Sequence, residues 1–168
     1  MISCFVILSN KIKTMERISF RDVPAGLVES VTGVQRYIDN CGLDHRLLEL
    51  LRFRVSQINS CAYCLDMHYK EAIHAGEEPL RLLSVSAWRE TPYYSPAEQA
   101  VLAFAEKLTH MPAEEHSDDI HEELSKYFSK AEIANLTAAI ITINMWNRLV
   151  RSFGTTPGKY KVKEVSLN

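Results

Sequence analysis

Apolar side chains along this chain recur three and four positions apart almost throughout, and no stretch sustains the two-residue alternation of a half-buried strand. That pattern confines the chain to an all-α fold of about six to seven helices. The spacing predicts a first helix from about Ala25 to Asn40, with Gly42 just past its end as a C-cap residue. Asp44 can cap a second helix, on which Leu47, Leu48, Leu50, Leu51 and Val55 form a wide apolar stripe. Asn59 and Ser60 interrupt it, and a third helix runs from about Cys61 to Ala75 and stops at Gly76. A short helix follows around Pro79 to Ala87, then a loop from Thr91 to Tyr94. Ser95-Pro96-Ala97-Glu98 reads as a capping box with proline at the first helical position. That helix reaches about Thr109, and Pro112 breaks it. Ser117 to Tyr127 has amphipathic spacing. Ser129-Lys130-Ala131-Glu132 is a second capping box. It opens the most apolar helix, from about Ala131 to Val150, expected to be buried on most sides in the core or at a subunit contact.

A length of 168 residues suits one domain with a sizeable core. Residues 1–14 read as an N-terminal extension ahead of Met15, 15–158 as the helical domain and 159–168 as a tail. Ile2 to Leu8 is apolar but too short to span a bilayer, and it lacks the basic flank of a signal peptide. The formal net charge is −2 with scattered basic residues, so nothing points to a nucleic-acid surface and no nucleic-acid partner is expected. Four cysteines are too few for a disulfide scaffold, so the expected compartment is a reducing cytoplasm.

Two of those cysteines, Cys61 and Cys64, form the chain's only CxxC, and His68 follows four residues later. At about 100° of rotation per residue, positions 61, 64 and 68 share one face of the third helix. A thiol is nucleophilic as thiolate. Cys61 in the first turn would feel the helix N-terminus. Cys64 and His68, at i and i+4, place a base beside a thiol. One thiolate attacking a hydroperoxide leaves a sulfenic acid, which the other thiol can close to a disulfide. Cys61, Cys64 and His68 are also three possible zinc ligands, but they spread over two helical turns without a partner CxxC. Glu49, one helix earlier among leucines, either faces solvent or faces the third helix. In the second case burial raises its pKa and makes it a proton relay to His68.

Glu49, Cys61, Cys64 and His68 together give E-x11-C-x2-C-x3-H, and the text around them runs Ile58-Asn59-Ser60-Cys61-Ala62-Tyr63-Cys64-Leu65-Asp66-Met67-His68. This resembles the core motif of the AhpD-like alkylhydroperoxidases, in the carboxymuconolactone decarboxylase superfamily, as a single-repeat member. A weaker likeness lies at Trp146-Asn147-Arg148. The resemblance implies an all-helical AhpD-like domain and a thiol-dependent hydroperoxide reductase without metal or organic cofactor. It implies that Cys64 is peroxidatic and Cys61 resolving, that His68 takes the thiol proton, and that Glu49 acts through His68. It also implies an external thiol electron donor and a homo-oligomer, trimer or hexamer. Where well-known AhpD proteins carry a second histidine inside the CxxC, this chain has Tyr63, a poor base. That departure motivates an alternative, a redox sensor or binding protein that forms the disulfide without turning over. Lactone decarboxylation follows from the superfamily name alone and needs no paired thiols.

Tyr63 and Trp146 are candidate pocket residues, with packing the simpler role for Trp146. His45, His74, His110, His116 and His121 show no readable arrangement, and Cys4 and Cys41 have no visible partner. The acidic group Glu114, Glu115, Asp118, Asp119, Glu122 and Glu123 reads as a solvated face.

Overall fold

A computed structural model describes residues 16–111 and 118–162. The expected extension at 1–14 with Cys4, the break at Pro112, and Glu114, Glu115 and His116 lie outside the described residues, as do 163–168. The elements are α1 (Leu27–Asp39), α2 (His45–Ile58), α3 (Ala62–His74), α4 (Pro79–Ser84), a 3₁₀ segment (Val85–Glu90), α5 (Pro96–His110), α6 (Asp118–Leu124) and α7 (Lys130–Phe153). No strand occurs among the described residues.

Local chemistry sets these boundaries. Asp44 accepts from the Leu47 amide at 2.9 Å and starts α2. Ser95 with Glu98, and Ser129 with Glu132, close reciprocal capping boxes at α5 and α7. Gly154, at φ 74°, ends α7 in the left-handed conformation that glycine adopts without steric cost.

Helix α2 is the axis of the fold and packs on α3, α5 and α7. Leu48, Leu51 and Val55 enter a core with Val101 and Phe104 of α5 and Leu136, Ala139, Ile140 and Ile143 of α7. Leu50 and Phe53 enter a second cluster with Ala72, Leu82, Val85, Trp88 and Leu102. With two faces apolar, α2 still has a third buried stripe, Glu49, Arg52 and Ser56, at i, i+3 and i+7. Polar groups are buried only with partners, so this stripe marks where chemistry is held.

Helix α7 buries one stripe: Ile133, Leu136, Ile140, Ile143, Asn147 and Val150. Ile141, on its other side, is 56% exposed. In the isolated chain the element buried on most sides is therefore α2. Helix α7 covers the core from one side because its apolar run also supplies residues to its outer face. The short fourth helix tightens into the 3₁₀ segment at Val85, and Ala87 has non-helical φ/ψ.

Candidate functional site

The sequence Asn59-Ser60-Cys61 is both the end of α2 and the start of α3. Ser60 takes φ 51°, its amide bonds the Gln57 carbonyl at 3.0 Å, and the Cys61 amide bonds the Ser56 carbonyl at 3.0 Å. This is a Schellman closure with serine where glycine is usual. Cys61 then serves as N-cap of α3, in extended conformation, rather than within the first turn. Its carbonyl accepts the Leu65 amide at 2.9 Å. Both thiols are free, and Cys61 and Cys64 are 0% and 1% exposed.

Around them, Val150, Tyr63 and Trp146 form a small cluster. Asn147 of α7, fully buried, donates to Ser56 Oγ at 3.1 Å and accepts from Asn59 Nδ2 at 2.9 Å. Its side chain also favours the ionised form of both thiols. The Cys61 thiol is lowered to about 7, chiefly by a hydrogen bond from the Cys64 thiol, with Arg151 and Asn147 contributing. The same bond, burial and the Cys61 charge push the Cys64 thiol up. The pair thus holds one proton tightly, and Cys61 ionises first. His68 forms no hydrogen bond with either thiol, so the helix terminus and the second thiol set the acidity.

Glu49 faces α3. It is 2% exposed; its Oε2 lies 2.7 Å from His68 Nδ1, and its Oε1 accepts from Arg52 Nη1 at 2.6 Å. Arg52 also bonds Asp39 of α1 at 2.6 Å. Burial is the largest single influence on Glu49 and pushes its pKa upward, but the raised pKa expected from the sequence does not result. The combined pull of His68 and Arg52 outweighs it and holds the carboxyl at about 2. Glu49 is therefore ionised at neutral pH. Whenever the imidazole is neutral, an ionised acceptor at Nδ1 selects the tautomer with its proton on Nδ1 and a lone pair on Nε2. Nε2 makes no hydrogen bond with the protein.

A cavity of about 400 Å³ opens beside these groups. Cys64, His68 and Glu49 line it, with Tyr63, Met67 and Trp146, while Cys61 does not. Tyr63 and Trp146 are thus both pocket residues by position. His45, unreadable in the sequence, lies on the wall. Arg148 does not; it bonds Asn144 at the surface. The C-terminal segment, expected as a tail from 159, instead folds onto α3 and contributes Tyr160 to the cavity. Among the described residues no group of three His, Cys, Asp or Glu side chains is placed to hold a metal ion. Among them, too, no helix is long and apolar enough to cross a membrane.

Sequence reasoning missed Arg52, although Glu49 and Arg52 at i and i+3 are the spacing of a helical ion pair. The positioning of Asn147 by Ser56 and Asn59 had no local signal.

Comparison with known proteins places this arrangement. The sequence model of the carboxymuconolactone decarboxylase family matches residues 25–107, which include Glu49, Cys61, Cys64 and His68. The uncharacterized protein YdfG of Bacillus subtilis is 30% identical over 139 residues, spanning 83% of this chain and 95% of YdfG. A solved protein of unknown function from Agrobacterium tumefaciens, whose name links it to antioxidant defence as an AhpD protein, is 35% identical. It superposes with a TM-score of 0.81 over 87% of this chain and 100% of its own. The chain belongs to the carboxymuconolactone decarboxylase family, in its AhpD-like branch. The debrominase Bmp8, at 21% identity and a TM-score of 0.70 over 79% of this chain and 72% of its own, shares the fold of this family.

Proposed function

We propose that this AhpD-like protein is a thiol-dependent hydroperoxide reductase that cycles between the dithiol and a Cys61–Cys64 disulfide. The observation that carries the reading is a free thiol pair at a helix start, one member on a cavity, beside an imidazole whose base nitrogen is set by an ionised carboxylate.

Cys64 is the thiol that a substrate in the cavity meets. Its proton passes to Cys61 or to His68 Nε2. The Cys64 thiolate then attacks the distal oxygen of ROOH, the O–O bond breaks, and the alkoxide takes a proton and leaves as ROH. Cys64 is now a sulfenic acid. Cys61, as its thiolate, attacks the Cys64 sulfur, forms the disulfide and releases water. An external dithiol returns both electrons, so one peroxide is reduced per dithiol oxidised. The two thiols have different tasks: Cys64 meets the peroxide and Cys61, off the cavity, resolves.

Peroxide-dependent oxidation of a dithiol donor tests this. Cys64→Ser is expected to lose turnover to background. Cys61→Ser is expected to consume about one equivalent of peroxide and to hold a sulfenic acid that dimedone labels at Cys64. Turnover by Cys64→Ser at the wild-type rate would falsify the scheme. A second reading, a redox sensor, is favoured by Tyr63 in place of a base and by the suppressed ionisation of Cys64. It predicts one oxidation to the disulfide and no further cycles with any dithiol.

A further inference from the structure

The cavity beside Cys64 owes part of its wall to residues far from the motif. After Gly154 the chain turns back along α3. The Gly158 amide donates to Asp66 Oδ2 at 3.0 Å, and Lys70 Nζ donates to the Tyr160 carbonyl at 3.0 Å. Lys70 in turn pairs with Asp66 at 2.7 Å. The Tyr160 hydroxyl bonds Glu71. Tyr160 and Glu71 both lie on the cavity wall, and the bond between them occupies the hydroxyl while the ring supplies the apolar part of the side chain. Tyr63, Met67, Trp146 and Val150 add apolar surface around the same space. Three independent bonds to α3 hold the segment there, so the ring position is built in.

We propose, resting on the hydroperoxide reading above, that Tyr160 is a specificity-determining residue whose ring forms the wall of a subsite for the apolar organic group of the hydroperoxide. Hydrogen peroxide, with no such group, gains nothing from that wall, whereas an aryl or branched alkyl group buries area against it. Tyr160 therefore acts on the choice between peroxides more than on the chemistry at sulfur.

The test compares wild type with Tyr160→Ala, using cumene hydroperoxide and hydrogen peroxide as substrates and 2-phenyl-2-propanol as a redox-inert probe of the reduced protein. The ratio of kcat/KM for cumene hydroperoxide to that for hydrogen peroxide is expected to fall about five- to tenfold in the variant. The Kd of the alcohol is expected to weaken by a similar factor. A ratio and a Kd both within about twofold of wild type overturn the proposal, as does an alcohol that fails to bind wild type. If wild type consumes neither peroxide, the reductase reading falls, and the alcohol titration still decides the subsite. If Tyr160→Ala does not fold, nuclear Overhauser contacts between the alcohol and the Tyr160 ring in wild type decide it. Their presence supports the wall, and their absence with the alcohol bound overturns it.

Discussion

A carboxylate sealed in a protein interior ordinarily gives up its charge; Glu49 keeps it because Arg52 and His68 both donate to it. The charge is what makes His68 useful, since a neutral carboxyl would no longer require the imidazole proton on Nδ1. The thiols follow the same logic on a smaller scale. Cys61 is acidic chiefly because Cys64 donates to it, so removing that donor must raise it. A pH titration of thiolate ultraviolet absorbance is expected to show a first midpoint near 7 in wild type. In Cys64→Ala that midpoint should move upward towards the free thiol value of about 8.5. An unmoved midpoint would assign the acidity to the helix terminus and Arg151 instead. Glu49, Cys61, Cys64 and His68 were legible because fixed spacings on two consecutive helices are written in the sequence. Their protonation was not. It depends on Arg52, which sits on a stripe that reads as polar surface until α2 is known to be central. It depends also on Asn147, which bonds Ser56 across 91 positions.

At the scale of elements, the α2–α3 junction is the feature that places the thiols. One residue, Cys61, is the last of a Schellman closure and the N-cap of the next helix. Its position is therefore fixed from both sides by backbone hydrogen bonds. The cost falls on Ser60, held at φ 51° with a side chain that the left-handed region disfavours. Ser60→Gly relieves it and is expected to stabilise the protein by about 0.5–1 kcal/mol, a rise of roughly 1–4 °C in Tm. Differential scanning calorimetry checks this, and an unchanged or lower Tm would show that the conformation carries no strain. Caps such as Asp44, Ser95 and Ser129 were readable because capping is local chemistry within four residues. The path of residues 155–162 was not, because the bonds from Gly158 and Tyr160 to α3 join positions about 90 apart.

At the scale of the whole molecule, a charge network ties three helices together: the buried Glu49 and Arg52 on α2 and His68 on α3, with the exposed Asp39 on α1 bonded to Arg52. The homo-oligomer expected from the sequence is a separate question of surface, where Ile141 stands open on α7. Light scattering is expected to give a trimer or hexamer of the 19.2 kDa chain, and a monomer alone would contradict that. The charge network makes a sharper prediction. Glu49 titrates at about 2 in the folded protein against an ordinary 4.5. Its folded pKa is depressed, so its contribution is complete above about pH 4.5 and is lost as the pH falls towards 2. The linkage amounts to roughly 3 kcal/mol across that window. Other carboxylates titrate there too, so the comparison is between wild type and Glu49→Gln, which share them. At pH 7 the variant is expected to be less stable, because Arg52 loses a charged partner in the interior. Acidification from pH 5 to 2.5, followed by urea unfolding, should then narrow the gap between the two by most of about 3 kcal/mol. Parallel loss in both proteins would mean that Glu49 does not carry its charge into the fold. The ionised carboxylate that sets His68 as a base would have to be abandoned with it.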